Sequence, residues 1–366
     1  MQKKKAHNPD YVLILIVAAL IVFGLFSLST ASVVISQEYF GHSYFYLKHQ
    51  ILYGILPGLA LLFITSFVYY DRWKKLSLFG FVGSIFLLLL TFAPELSYAH
   101  GGASRWLSAG GLSFQPAELV KLTTIIYLAA LLDKKDSIHF RNIIPFLICL
   151  CVLGVVFVLQ PDFSNLFIIT LVSLGLLFVG GIKLKYFLSL ILIAFVILGS
   201  LIFLADYRVE RLTTFMSPNQ DPLGQGWQTN QALIAIGSGG LTGQGLGHSI
   251  QKHLYLPEVI GDSIFAIIAE EGGFITVFTL IAFFLALALR GLNIARKAPD
   301  RFGCLVASGI IFLILIQATL NIGALSKIAP LTGTTLPLIS YGGSSLIFLM
   351  AGLGLLINIS RYSSRS

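Results

Sequence analysis

Asp262 stands where a polar, glycine-rich stretch gives way to the apolar run Ile264–Ile268. A carboxylate at such a boundary is costly to keep dry and useful if it must take a proton. Two readings stay open from residue chemistry alone: a general base, or a first-turn acid favoured by the helix dipole after Pro257-Glu258-Val259-Ile260-Gly261. Glu118 and Lys121 are three apart and share a helix face, as a packing ion pair or as substrate contacts. Asp162 follows Gln160-Pro161, an abrupt turn after which it can cap the next helix. Glu270 and Glu271, beside Gly272-Gly273, read as structural. The segment from Gly237 to Gly247 could turn backbone N–H groups towards an anion, but it has no P-loop lysine and follows no strand. Close packing as a mobile, re-entrant segment is the better account of it. Cys149, Cys151 and Cys304 lie in apolar runs without metal or disulfide spacing and read as small buried hydrophobes.

The elements that position these groups are membrane helices. The 366 residues are 56% hydrophobic and 11% charged, with several apolar runs of the length needed to cross ~30 Å of hydrocarbon. The first, Tyr11 to Ile35 after Lys3-Lys4-Lys5, is too long for a signal-peptide core. Ten spans are expected, at about 11–35, 49–70, 76–93, 114–132, 143–160, 163–182, 186–205, 262–289, 302–324 and 336–359. In the last of these, Gly342-Gly343-Ser344-Ser345 would permit close packing or a broken helix.

Lys121 interrupts the fourth span, and the charge distribution decides whether to keep it. With ten spans, seven of the 24 basic residues (Lys48, Arg105, Lys121, Arg208, Arg211, Lys252 and Lys327) fall on one side, and the remaining 17 on the other. Without the fourth span the division becomes 10 against 14. The positive-inside rule therefore favours ten spans with both termini cytoplasmic. The formal charge of +8 then reads as a topology signal, not as a nucleic-acid surface. The long loop at about 206–261, between spans seven and eight, lies outside the cytoplasm. Eleven of the 16 carboxylates, Glu118, Asp162, Glu258 and Asp262 among them, fall on that side or in the outer or mid parts of the spans. The expected fold is an all-α polytopic membrane protein, a single domain over 1–366 with no internal repeat.

Several words along the chain carry a resemblance. They are Gly101-Gly102-Ala103-Ser104-Arg105-Trp106-Leu107, Ser113-Phe114-Gln115-Pro116-Ala117-Glu118-Leu119-Val120-Lys121-Leu122, and Gln160-Pro161-Asp162. Ala235-Ile236-Gly237-Ser238-Gly239-Gly240-Leu241, Leu256-Pro257-Glu258, Asp262-Ser263-Ile264-Phe265-Ala266 and Pro337-Leu338-Ile339-Ser340-Tyr341-Gly342-Gly343-Ser344-Ser345 follow. In this order and spacing they resemble the SEDS glycosyltransferases, the FtsW/RodA family, from end to end. The run from Gly245 to Lys252 is more similar to the division branch, FtsW, than to the elongation branch, RodA. Many members carry His-Thr before the key aspartate and an aromatic after it; here Ile260-Gly261-Asp262-Ser263 stands instead.

The resemblance implies a lipid II polymerase acting on the outer face of the cytoplasmic membrane in septal wall synthesis. Asp262 matches the family's essential aspartate, and Glu118, Lys121 and Asp162 match positions in its central cavity. The implied partners are a class B penicillin-binding protein, which is a transpeptidase, and other divisome proteins. The chemistry needs a base for the acceptor hydroxyl and positive charge for the departing lipid diphosphate. Lys121 is the preferred source of that charge, with Arg105, Arg211, Lys252 or a divalent cation such as Mg or Mn as others; no metal cluster is evident and no organic cofactor is required. Inversion in one step would need only the base. The rival readings are a lipid II flippase, which the missing repeat symmetry disfavours, and a non-catalytic scaffold.

Overall fold

The computed structural model describes residues 6–100, 103–109, 112–133, 140–216 and 225–364. Gly101, Gly102, Asp221, Gly224 and the basic residues Lys3, Lys4, Lys5, Lys134, Lys135 and Arg365 lie outside the described residues.

Helix α1 (Tyr11–Ala31) starts where Asp10 accepts a hydrogen bond from the Leu13 N–H at 3.0 Å, and the same carboxylate pairs with Arg290 at 2.7 Å. One charge thus satisfies a helix start and ties it to the far end of the chain. Ser32 interrupts the helix, which resumes as α2 (Val33–Phe40) and stops at Gly41, φ 69°. The chain returns as α3 (Phe45–Gln50), a π-helical turn over Ile51–Ile55, and α4 (Leu56–Phe67). Then come α5 (Asp71–Leu89), α6 (Pro116–Asp133), α7 (Phe140–Leu159), α8 (Phe163–Val179) and α9 (Leu184–Phe203). Two helices, α10 (Asp206–Met216) and α11 (Gln225–Ser238), occupy the long inter-span stretch. The chain closes with α12 (Ile264–Arg296), α13 (Arg301–Leu325) and α14 (Gly343–Ser360).

Among the described residues, seven helices are long and apolar enough to cross a membrane, and Ile143–Leu159 and Phe163–Val179 are shorter apolar ones. With α6, made less apolar by Glu118, Lys121 and Asp133, they occupy the ten stretches expected. Helices α13 and α14 are central and largely buried; α9 turns Leu188, Leu192 and Phe195 outward, a surface suited to lipid. Lipid tails are as apolar as leucine, so close van der Waals fit and interhelical polar bonds hold such a bundle. Gly354 of α14 shows the fit: a Cβ there would stand 2.4 Å from the Leu62 carbonyl oxygen of α4. The Thr65 hydroxyl donates across the same seam to the Ala351 carbonyl at 2.9 Å.

One expectation needs correction, and one gains an addition. The all-α class stands, with a small sheet added to it: β1 (Ser97–His100), β2 (Ala103–Ala109) and β3 (Leu112–Phe114) form an antiparallel meander between α5 and α6. Its strands are too short and too rich in serine and glycine neighbours to register against the hydropathy of the spans. The last span begins at Gly343, not 336, so Gly342 and Gly343 start the helix and do not break it. Ahead of it, the Ser340 hydroxyl accepts from the Leu336 N–H at 2.8 Å and Leu338 adopts φ 64°. This irregular stretch turns back into the protein, and its Tyr341 N–H donates to the Ile260 carbonyl at 2.8 Å.

Candidate active site

Asp262 sits in the turn that precedes α12. The turn is closed by Gly261 and Ser263 N–H groups donating to the Glu258 carbonyl, at 3.0 and 3.1 Å. From α13, Asn321 donates to the backbone carbonyls of Asp262 and Thr334, both at 2.7 Å. One side-chain amide therefore clamps the Asp262 turn to the 331–341 segment. A Cβ built on Gly333, φ 65°, would lie 3.8 Å from Asp262 Oδ2, so that backbone passes directly alongside the carboxylate.

The cap reading is overturned. Ser263 holds the N-cap position and makes no side-chain cap bond, and Asp262 Oδ1 is shielded yet has no hydrogen-bond partner. Burial first, and then the Glu258 carboxylate, push the Asp262 acid up to about 7; Arg211 opposes them. A carboxylate that titrates near neutrality with a free oxygen is suited to accept a proton from a hydroxyl.

Two guanidiniums face the same region. Arg211, on α10, donates to the Leu331 carbonyl at 3.4 Å and lines a narrow crevice with Thr214, Phe215, Thr229, Ala329 and Leu331. Burial, and then the like charge of Arg105, hold Arg211 below the usual arginine range, while Tyr207, Asp262 and Asp162 act in its favour. Arg105, on β2, donates to the Pro161 carbonyl. The Nε atoms of both arginines are buried without a partner. The sheet thus brings Arg105 next to Arg211. Two neighbouring arginines with unused N–H groups have the donor set an anion site requires, since guanidinium forks match phosphate oxygens.

Asp162 is buried and caps α8, accepting from the Asn165 N–H at 3.2 Å and from Asn165 Nδ2 at 2.8 Å, as its position after Pro161 led us to expect. Lys121 and Glu118 form an enclosed ion pair at 2.7 Å, with side chains 2% and 8% exposed. Lys121 is therefore already neutralised, and the two arginines are the freer cations. Lys252 is also engaged elsewhere: its ammonium holds Glu271 at 3.0 Å and the Gly247 carbonyl, and is 5% exposed. Its expected role in binding substrate is replaced by a structural one. Glu270 accepts from the Ser249 hydroxyl and from the Ile250 N–H at 2.9 Å. The two adjacent glutamates therefore pin the loop after α11 onto α12, as their structural reading required.

The glycines of that loop pack as a re-entrant segment against α12. Gly243 has φ +83°, and a Cβ there would fall 2.1 Å from the Glu271 carbonyl. It meets Gly273, φ 65°, where α12 is kinked. Gly243→Ala is expected to lower stability by about 2 kcal/mol or more, from forbidden backbone and steric overlap together. The check is a lowered thermal midpoint of the detergent-purified protein, with Gly83→Ala, at a site open around the glycine, unchanged.

The sequence reading missed Asn321 and the part Glu258 plays in tuning Asp262. Gln317 and Asn321, one helical turn apart in an otherwise apolar run and both buried, were the available signal for the first. Among the described residues, no three His, Cys, Asp or Glu side chains converge on a point.

Fold and site together define a polytopic membrane protein whose polar chemistry is gathered at one end of a helical bundle. Its helices and small sheet present a carboxylate and a pair of guanidiniums there. The chain belongs to the FtsW/RodA/SpoVE family: the family profile, described as "Cell cycle protein", matches residues 11–365. Stage V sporulation protein E of Bacillus subtilis (strain 168) is 38% identical over 362 residues, covering 98% of this chain and 99% of that protein. A "Probable peptidoglycan glycosyltransferase FtsW" of Geobacter metallireducens is 36% identical over 360 residues, covering 98% and 96%. Among solved structures, a chain from "Structural coordination of polymerization and crosslinking by a peptidoglycan synthase complex" superposes with a TM-score of 0.81 at 26% identity, covering 96% of this chain and 98% of that one. Rod shape determining protein RodA of Thermus thermophilus gives 0.72 at 27% identity, covering 98% of each chain.

Proposed function

We propose that this protein is a peptidoglycan glycosyltransferase of the division type. It polymerises lipid II on the outer face of the cytoplasmic membrane, with both termini on the cytoplasmic side. The observation that carries the reading is the unpartnered Asp262 oxygen, coupled to Arg211, which in turn neighbours Arg105, both arginines keeping unused N–H groups. Relatives named as probable peptidoglycan glycosyltransferase FtsW, at 36–37% identity over nearly the whole chain, support the reaction and the division branch.

Asp262 takes the proton of the acceptor sugar hydroxyl as its oxygen attacks the anomeric carbon of the donor. The bond from that carbon to the diphosphate breaks, and the configuration inverts in one step. The electron pair leaves with undecaprenyl diphosphate, whose new charge is met by Arg105 and Arg211. No enzyme nucleophile is needed. Mg²⁺ binds through one or two carboxylates plus substrate phosphates, and Glu258, the carboxylate neighbouring Asp262, would be the residue to hold such an ion while Asp262 stays free as the base. Bound there, it would add charge stabilisation to the leaving group. Crosslinking falls to a class B penicillin-binding protein in the same assembly, a partner supported by the solved complex of similar fold.

The test is polymerisation of lipid II by purified protein, with and without chelator and the cognate transpeptidase. Glycan strands support the reading; translocation of lipid II without product would favour a flippase. The pH profile tests the base. Only the ionised carboxylate accepts a proton, so the rate should rise about tenfold per pH unit below about 7 and level above it. Glu258→Gln removes a neighbouring negative charge, makes Asp262 easier to ionise, and should shift the acid limb to lower pH. An unmoved limb would separate Glu258 from the base.

A further inference from the structure

Residues 330–336, between α13 and α14, adopt no regular secondary structure. Irregular backbone in a membrane bundle is tolerated where it is buried in protein or lines a water-filled cavity, and its carbonyls then need partners from elsewhere. Three helices supply them. Arg211 of α10 donates to the Leu331 carbonyl at 3.4 Å, Ser164 of α8 to the Thr332 carbonyl, and Asn321 of α13 to the Thr334 carbonyl at 2.7 Å. The Thr332 and Thr334 hydroxyls are 2.9 Å apart, which braces the strap between these anchors.

Asn321 differs from the other two anchors in also bonding the residue that carries the base. Its amide nitrogen reaches the Asp262 carbonyl at 2.7 Å. Only the nitrogen of an amide can serve two carbonyls, so the side chain is fixed in one orientation and its Oδ1 is left buried without a partner. Leaving that oxygen unsatisfied is costly, and the two bonds to the Asp262 turn and the strap are what the arrangement secures. Between the anchored residues Thr332 and Thr334 lies Gly333, whose backbone runs beside Asp262 Oδ2. The strap carries no titratable side chain and neither does α13 between Cys304 and Leu325. Both therefore act on the carboxylate by excluding water. The charges that act on it are Glu258, in its own turn, and Arg211, from α10, and burial outweighs either.

We propose that Asn321 is a positioning residue for the reaction: by holding strap and turn together it keeps the Asp262 carboxylate aimed and dry. The proposal rests on the glycosyltransferase reading, but part of its test needs no turnover. In detergent-purified full-length protein the Asp262 carboxyl is titrated by infrared difference spectroscopy, each protein against its Asp262→Asn counterpart. Asn321→Leu removes both donors at similar volume. It should lower the titration midpoint by about one pH unit, because water reaches the carboxylate. Hydrogen exchange should quicken in peptides covering 258–263 and 331–341. The plateau rate of lipid II polymerisation should fall about tenfold with KM within about twofold of wild type, since a misaimed base costs turnover and not binding. Asn321→Ser keeps one donor, should shift the midpoint in the same direction by less, and carries the test should Asn321→Leu fail to fold.

The control is Gly354→Ala at the α4–α14 seam, where a Cβ overlaps the Leu62 carbonyl. It should lower the thermal midpoint and leave the Asp262 titration in place. An equal shift in Gly354→Ala would reduce the effect to general loosening and overturn the proposal. So would a folded Asn321 variant in which either the titration midpoint or the plateau rate stays at its wild-type value. A shifted midpoint in a protein whose wild type makes no glycan would sustain the hold of Asn321 on Asp262 and sink the glycosyltransferase reading instead.

Discussion

Asp262→Asn is expected to lower the rate of lipid II polymerisation by about three orders of magnitude, within the span associated with a lost general base. The amide keeps the size and the bonds of the turn, in which the Asn321 side-chain amide donates to the Asp262 backbone carbonyl and the Glu258 carbonyl accepts from the Gly261 and Ser263 N–H groups. It removes only the ability to accept a proton. Stability should stay level or rise. Burial and Glu258 hold the folded acid up at about 7, above its unfolded value, so ionisation works against folding at neutral pH and the neutral amide is free of that conflict. Inactivity together with an unchanged or raised thermal midpoint is the signature of a lost base. Wild-type turnover by a folded Asp262→Asn protein would remove Asp262 from the mechanism.

Lys121→Met is expected to be among the most destabilising single changes in the chain. The pair it belongs to is enclosed, with a 2.7 Å contact and almost no exposure on either side. Removing one partner leaves Glu118 alone in a low-dielectric setting, at a cost of about 3–5 kcal/mol. Glu118→Gln/Lys121→Met, which removes both charges, should recover most of the lost thermal midpoint, because a buried pair contributes little net stability over a well-packed apolar one. A double variant that stays as unstable as the single would mean that each charge has another partner. Polymerisation by the refolded double variant then separates packing from contact with substrate: recovery with stability marks packing.

The spans were legible because hydrocarbon imposes one simple demand, a run of apolar residues whose backbone bonds close within the segment. Even the fourth helix, carrying Glu118 and Lys121, emerged once the basic residues were apportioned to two sides. Asp162 as a cap was legible for a similar reason, since capping depends on near neighbours. The small sheet was not, because its strands are short and their pairing is decided by partners, not by hydropathy. The start of α14 was misplaced because Leu336–Ile339 is apolar enough to pass for helix, while Ser340 and Tyr341 bond it into a turn.

Lys121, Lys252, Arg105 and Arg211 looked equivalent as charges in the sequence; tertiary contacts divided them. Two are neutralised by glutamates, and two keep unused N–H groups, with Arg211 coupled to Asp262. Family membership and the membrane class were written in the chain itself, in hydropathy and in ordered local words. Which cations remain free and what sets the proton affinity of Asp262 depend on side chains distant in sequence. Burial and electrostatic coupling act through space, and only the folded chain sets those distances.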